Sequence, residues 1–234
     1  MSISLSIDEI AGGVVVIAPH PDDETLGCGG LIGALVDKGV EVHTVFVTDG
    51  SSSHRNSATW PASRIAELRE DEATRALERL GAGRQPRTFL RLKDAAMPQK
   101  GEPAYEEAVN RVASILYQSE ATLLLVPWRR DPHCDHRDSW SMAIDAIGRS
   151  GLEPTVLEYA IWLEELGATA DFPLAGEVEV VTFEAAGMVD RKHAALNAHA
   201  SQLGQVILDD PDGFSLTDDT ISRLIRPYEV FWRA

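Results

Sequence analysis

His20, Asp22 and Asp23 crowd into one short run, Ala18-Pro19-His20-Pro21-Asp22-Asp23-Glu24. One imidazole and two adjacent carboxylates are donors that a divalent cation accepts, and the flanking prolines restrict φ on either side. A plain surface turn is the competing reading, because Pro-Asp-Asp is ordinary turn chemistry. A second cluster far along the chain, Asp131-Pro132-His133-Cys134-Asp135-His136, weighs against it. Zinc hydrolases commonly hold their metal through three N and O donors and leave the fourth position to water. The two clusters supply such a set between them. Which of Asp22, Asp23 and Glu24 ligates is open at this level, since adjacent side chains of extended backbone point to opposite sides. Glu24, just before Thr25-Leu26-Gly27, also suits a helix N-terminus, where a negative charge meets the positive end of the macrodipole.

The elements that position these clusters are legible as apolar runs. Val14-Val15-Val16-Ile17, bounded by Gly12-Gly13 and Pro19, and Leu123-Leu124-Leu125-Val126, closed by Pro127, read as buried parallel strands. In open α/β sheets ligands bind at the carboxyl ends of the strands, where both clusters fall. Strands are expected over 14–18, 41–48, 88–92, 122–127, 155–161 and 178–183, with helices over 26–38, 62–81, 103–119, 137–149 and 187–202. A C-terminal strand around Tyr228-Glu229-Val230-Phe231 is expected at an edge of the sheet. This alternation predicts an α/β fold, a Rossmann-like three-layer sandwich with a mostly parallel sheet and the metal site at its carboxyl edge. No linker or repeat divides the chain, so residues 1–234 are expected to form a single domain.

At these residues the chain resembles the GlcNAc-PI de-N-acetylase, or LmbE-like (PIG-L), family of zinc-dependent deacetylases. Pro19-His20-Pro21-Asp22-Asp23-Glu24 is similar to the family's first motif, and His133-Cys134-Asp135-His136 to its His-x-Asp-His, with Cys134 where Pro is frequent. Arg69-Glu70-Asp71-Glu72-Ala73 resembles an Arg-x-x-Glu-Ala helix. Lys192-His193-Ala194-Ala195-Leu196 leading to His199-Ala200-Ser201-Gln202 resembles a late Lys...Ser-Gln helix. The resemblance implies metal ligation by His20, Asp23 and His136, and one Zn2+ per chain, another divalent metal being the alternative. It implies Asp22 as the general base, His133 as the group that steadies the oxyanion or protonates the leaving amine, and Asp135 as the residue that orients His133. Arg69 and Asp94 are implied on the substrate side. The substrate it implies is a small N-acetylated sugar conjugate, hydrolysed at the amide to acetate and a free amine.

Other residues invite readings of their own. Gly27-Cys28-Gly29-Gly30 lacks the direct strand-to-glycine junction of a dinucleotide fingerprint, so close helix packing is the better reading. The polar loop Asp49-Gly50-Ser51-Ser52-Ser53-His54 ends on the same sheet edge and is a candidate wall of a substrate pocket. Trp128, Trp140 and Trp162 are core aromatics or sugar-stacking faces. Arg64 and Arg69 on a helix surface would pair with Glu67, Glu70 and Glu72. Cys28 and Cys134 lie in motif loops; a structural disulfide is not expected in a reducing compartment, and Cys134 is a minor candidate ligand.

A formal net charge of −16 argues against a nucleic-acid partner, since phosphate contacts need clustered Lys and Arg. No run approaches the roughly 20 apolar residues that span a bilayer, and Met1-Ser2-Ile3-Ser4 lacks a basic segment followed by an apolar one, so a cytoplasmic protein without a membrane partner is expected. Oligomeric state is left open. The reading from another class is a Rossmann-like sugar- or nucleotide-binding module without hydrolytic activity; an amidase of a different acyl conjugate is nearer.

Overall fold

The computed structural model describes residues 2–234. Along the chain run β1 (Ile3–Ser4), β2 (Gly13–Ala18), α1 (Asp23–Asp37), β3 (Val42–Thr48), α2 (Ala62–Arg79), β4 (Arg87–Leu92), α3 (Pro103–Gln118) and β5 (Ala121–Pro127). There follow α4 (Cys134–Ser150), β6 (Thr155–Tyr159), α5 (Leu163–Leu166), β7 (Glu179–Glu184), α6 (Val189–Leu196), α7 (Asp218–Leu224) and β8 (Tyr228–Arg233). The strands form one sheet in the order β1-β7-β8-β6-β5-β2-β3-β4. Most neighbours are parallel; only the pairs that β8 makes are antiparallel.

β2 is wholly buried because helices cover both of its faces, which is why it reads as an unbroken apolar run. Val14, Val16 and Ala18 pack with Leu26, Leu31 and Leu35 of α1 and with Ala73 and Leu77 of α2. Val15 and Ile17, pointing the other way, pack with Val109 and Val112 of α3 and Met142 and Ala143 of α4. Each such aliphatic side chain contributes about 1.5–3 kcal/mol on burial. The three-layer sandwich with a mostly parallel sheet is therefore as expected. Since β2 pairs with β5, the loops after these two strands leave the sheet side by side.

Two expectations are corrected. The C-terminal strand lies inside the sheet, between β7 and β6, and the edges belong to β1 and β4. Its interior place follows from its buried Phe231 and Glu229, which meet the α1 layer. The expected helix over 187–202 is also broken: α6 ends at Leu196, and a short 3-10 turn follows over Ala200–Leu203. There the backbone N–H and hydroxyl of Ser201 donate to the buried Glu72 carboxylate, a tertiary partner that competes with continued helix.

α1 is bent at Cys28, whose φ is −141°. A Cβ on Gly27 would stand 2.3 Å from the Tyr159 ring, so this glycine lets the helix lie close on β6, in keeping with the packing reading of the glycine run. No helix among the described residues is long and apolar enough to cross a membrane.

Candidate metal centre

The loop after β2 carries His20 and Asp22 and leads to Asp23 at the start of α1, and the loop after β5 leads through Asp131 to His133 and then to Asp135 and His136 in the first turn of α4. The two clusters meet. Asp23 Oδ2 lies 3.2 Å from His20 Nδ1 and 3.3 Å from His136 Nε2. The far nitrogen of each ring faces a second buried carboxylate. His20 Nε2 is 3.1 Å from Asp135 Oδ2, and His136 Nδ1 is 3.5 Å from Asp131 Oδ1. Each imidazole is thus backed by a carboxylate on one side and turned toward Asp23 on the other, the arrangement that fixes a metal-ligating histidine.

Both ring nitrogens of His136 are buried without a hydrogen-bond partner among the described residues. Such an orphan costs free energy unless something else satisfies it, and a cation among imidazole and carboxylate donors would do so. Ligand atoms of His20, His133 and His136 all lie within 4.8 Å of one another. The buried His/Asp cluster is therefore able to chelate a divalent metal.

Asp22 is separated from its neighbour by backbone strain. Its φ of 141° lies in a region that favours glycine, a conformation that costs about 1–3 kcal/mol for another residue. The bend sends Asp23 toward the histidines and Asp22 into the adjoining cavity, where its Oδ1 is 3.1 Å from Arg69 Nη2. The Arg69 guanidinium also donates to the carbonyls of Gly50 at 3.0 Å and Pro21 at 2.7 Å. Arg69 is buried, which overturns the helix-surface reading; Arg64 lies over the Trp60 ring.

His133 is the N-cap of α4, and its Nδ1 accepts the Asp135 N–H at 3.2 Å. Asp135 thus meets His133 through its backbone, and its carboxylate turns elsewhere. That carboxylate accepts from His20 and, at 2.8 Å, from the Ala95 N–H. Asp94 accepts the Ser52 N–H at 2.7 Å and brings Oδ1 to 3.4 Å from His20 Nε2.

Electrostatics follow from this crowding. Burial pushes the Asp22 carboxyl up to about 6, with Arg69 opposing and Asp23 adding to the rise. Burial alone would raise Asp23, but the charges and hydrogen bonds of His136 and His20 prevail and hold it well below the carboxylate range. Burial would lower His136, yet Asp23 and Asp131 lift it to about 9. Burial and the neighbouring imidazoles push His133 down to about 4.

The cavity, about 480 Å³, is lined by His20, Asp22, Asp23, Arg69, Asp94 and His133. Ser52 and Ser53 of the loop after β3 also line it, as anticipated for that loop. Trp162, Leu166 and Phe214 line it too, with the Trp162 and Phe214 rings edge to face at 5.6 Å. Trp128 is fully buried and Trp140 packs partly buried against the α3 and α4 layer, so both are core. Cys28 is buried, Cys134 is exposed, and neither forms a disulfide. Glu24 stands in the first turn of α1, the expected helix N-terminal place, and is buried there: its carboxylate accepts from the Asp22 N–H and contacts His199. Asp131 and His199 fall within the stretches singled out in the sequence but were given no role there, and Phe214 carries no local motif that would single it out.

The PIG-L family, described as GlcNAc-PI de-N-acetylase, matches residues 15–147. A diacetylchitobiose deacetylase of Thermococcus kodakarensis is 30% identical over 145 residues, 59% of this chain and 50% of that protein, so the chain aligns with about half of that relative's length. A 1D-myo-inositol 2-acetamido-2-deoxy-α-D-glucopyranoside deacetylase of Rhodococcus opacus is 26% identical over 81% of both chains. The solved N,N'-diacetylchitobiose deacetylase of Pyrococcus horikoshii has the same fold, with a TM-score of 0.66 at 22% identity over 93% of this chain and 75% of that one. Matched over more than half its length, the chain belongs to the PIG-L family.

Proposed function

We propose that residues 1–234 act as one domain, a metal-dependent N-deacetylase that hydrolyses the acetamido group of a small amino-sugar conjugate to acetate and a free amine. The observation that carries this reading is the meeting of His20, Asp23 and His136 beside a strained Asp22 that faces the same cavity. The names of the two relatives above place their substrates among N-acetylated amino sugars.

His20, Asp23 and His136 would hold one Zn2+ per chain, a choice favoured by their two imidazoles and one carboxylate. When bound, the cation supplies Lewis acidity, polarising the amide carbonyl and acidifying water. Asp22 takes the proton from the attacking water; a carboxyl with its pKa near 6 is ionised at neutral pH yet more basic than an ordinary aspartate. With Nδ1 of His133 accepting the Asp135 N–H, the ring proton is assigned to Nε2. A neutral ring in that tautomer donates a hydrogen bond to the oxyanion that develops on the acyl oxygen. As the C–N bond breaks, Asp22 returns its proton to the departing nitrogen, which would otherwise leave as a strongly basic anion. Arg69 holds the Asp22 loop, and Asp94, which lines the cavity, offers its carboxylate to sugar hydroxyls.

The test is elemental analysis joined to acetate release from N-acetylated sugar conjugates. About one zinc per chain, lost in His136→Ala, and acetate release abolished by chelation are the expected results. Asp22→Asn should keep the metal and lose about 10²–10⁴-fold in turnover. Near-normal turnover of Asp22→Asn would remove Asp22 as base. Ligand binding that survives chelation, with no acetate released, would favour the binding module.

A further inference from the structure

The deacetylase reading uses Asp22 but leaves unexplained what holds it in so unfavourable a backbone conformation. Glu24 is fully buried two residues on, and its Oε2 accepts the Asp22 N–H at 2.9 Å. Its Oε1 accepts from the Thr25 hydroxyl at 2.7 Å and lies 3.2 Å from His199 Nε2. His199 is also fully buried, and its Nδ1 has no partner among the described residues, so its contact with Glu24 is the polar one that the ring makes. It reaches this place because the chain leaves α6 and turns before Ala200–Leu203. The same turn is pinned by Ser201, which donates its N–H at 2.8 Å and its hydroxyl at 2.6 Å to Glu72 of α2.

A buried carboxylate tolerates its surroundings only when its oxygens are satisfied by donors or cations. Burial alone would lower the pKa of His199, but the hydrogen bond and charge of Glu24, with the charges of Asp22 and Glu72, raise it, while Nε2 donates to the Glu24 carboxylate. The chain of contacts is thus continuous: His199 holds Glu24, Glu24 holds the Asp22 N–H, and Arg69 holds the Asp22 carboxylate. No other described side chain grips the Asp22 backbone N–H.

We propose that His199 is a positioning residue for Asp22: acting through Glu24, it holds the base in the bent backbone that separates its carboxylate from that of Asp23. This rests on the reading of Asp22 as base. His199 touches neither the metal ligands nor the cavity, so its loss should disturb the aim of the base while sparing the metal and the substrate contacts.

The experiment is a double-mutant cycle on the metal-loaded enzyme. His199→Ala should lower kcat about 10–100-fold, the scale on which misplacing a reacting group acts, with KM and zinc content near wild type. His199→Gln, which keeps a donor for Glu24, should recover most of that loss. In an Asp22→Asn background His199→Ala should change the residual turnover less than twofold, because the group it positions is already gone. Where His199→Ala fails to fold, Glu24→Gln, which keeps the size of the side chain but gives up one of its two accepting oxygens, carries the same cycle. Additive losses in the two backgrounds, or a rise in KM in place of a fall in kcat, would overturn the proposal. Near-normal turnover of Asp22→Asn alone would instead overturn the deacetylase roles on which it stands.

Discussion

Asp135 turns its carboxylate to His20 Nε2, 3.1 Å away, and offers His133 only a backbone N–H. A buried aspartate that backs a ligating imidazole raises the basicity of the ring and fixes its orientation. The residue expected to serve the oxyanion group therefore stands where it would serve the metal. Asp135→Asn should weaken zinc binding about 10–100-fold, read by competition with a chromogenic chelator. Unchanged zinc affinity with depressed turnover would return Asp135 to His133.

This exchange of partners marks where sequence stops informing. The motif residues His20, Asp22, Asp23, His133 and His136 were legible because β2 and β5 are unbroken apolar runs whose carboxyl ends must adjoin in a parallel sheet. What those residues touch depends on side-chain direction, and a single bend at Asp22 decides which of two adjacent carboxylates faces the histidines. The pairs Glu24 with His199 and Glu72 with Ser201 join residues on different elements far apart in sequence, and no local periodicity encodes them. β8 was misplaced for a similar reason: a short strand carries the same alternation at an edge or in the interior, and only its pairing with β7 and β6 separates the two.

Trp162 and Phe214 line the same cavity as Asp22 and Asp23, and under the proposed deacetylase reading they would offer an apolar face to the group attached to the amino sugar. An aromatic face covers the apolar side of a second ring, and losing about 1.4 kcal/mol there is a tenfold loss of affinity. Trp162→Ala should raise KM for an N-acetylated sugar that carries a second ring about tenfold and leave kcat within about twofold. For N-acetylglucosamine itself the KM change should be small. Comparing kcat and KM for the two substrates checks this, and equal effects on both would remove Trp162 from the recognition of the second ring.

His43, half-buried on β3, shares a 2.9 Å hydrogen bond with the Thr88 hydroxyl of β4. Burial, with Arg111 adding, lowers its pKa from 6.5 to about 4. The unfolded chain takes up the proton first on acidification, so the contribution of this site to stability is complete above pH about 6.5 and is lost as pH falls through about 4. His43→Gln keeps a hydrogen-bonding group without titrating. Urea midpoints measured from pH 7.5 down to 4.5 should fall less steeply for the variant than for the wild type, and parallel profiles would exclude His43 as a source of acid sensitivity.

Lys192 and Glu229 form a buried ion pair behind α1, with Lys192 Nζ 2.7 Å from Glu229 Oε1 and 2.9 Å from the Leu224 carbonyl oxygen. Glu229 also accepts the N–H groups of Gly30 at 2.8 Å and Leu31 at 2.9 Å. These follow the bend at Cys28, where the helix restarts and its first N–H groups lack intrahelical acceptors. One carboxylate thus caps the second half of α1 and neutralises a buried ammonium. Glu229→Gln keeps an oxygen for the helix but leaves Lys192 charged and unpaired, which should cost about 3–5 kcal/mol in urea unfolding. Adding Lys192→Met should recover part of that loss, because removing the stranded charge relieves the larger penalty. Neither residue lines the cavity that holds Asp22, so turnover per folded, metal-loaded molecule should hold near wild type in both variants. A loss below about 1 kcal/mol for Glu229→Gln would mean that water reaches Lys192 and that the pair is not the clamp on α1 that its burial implies.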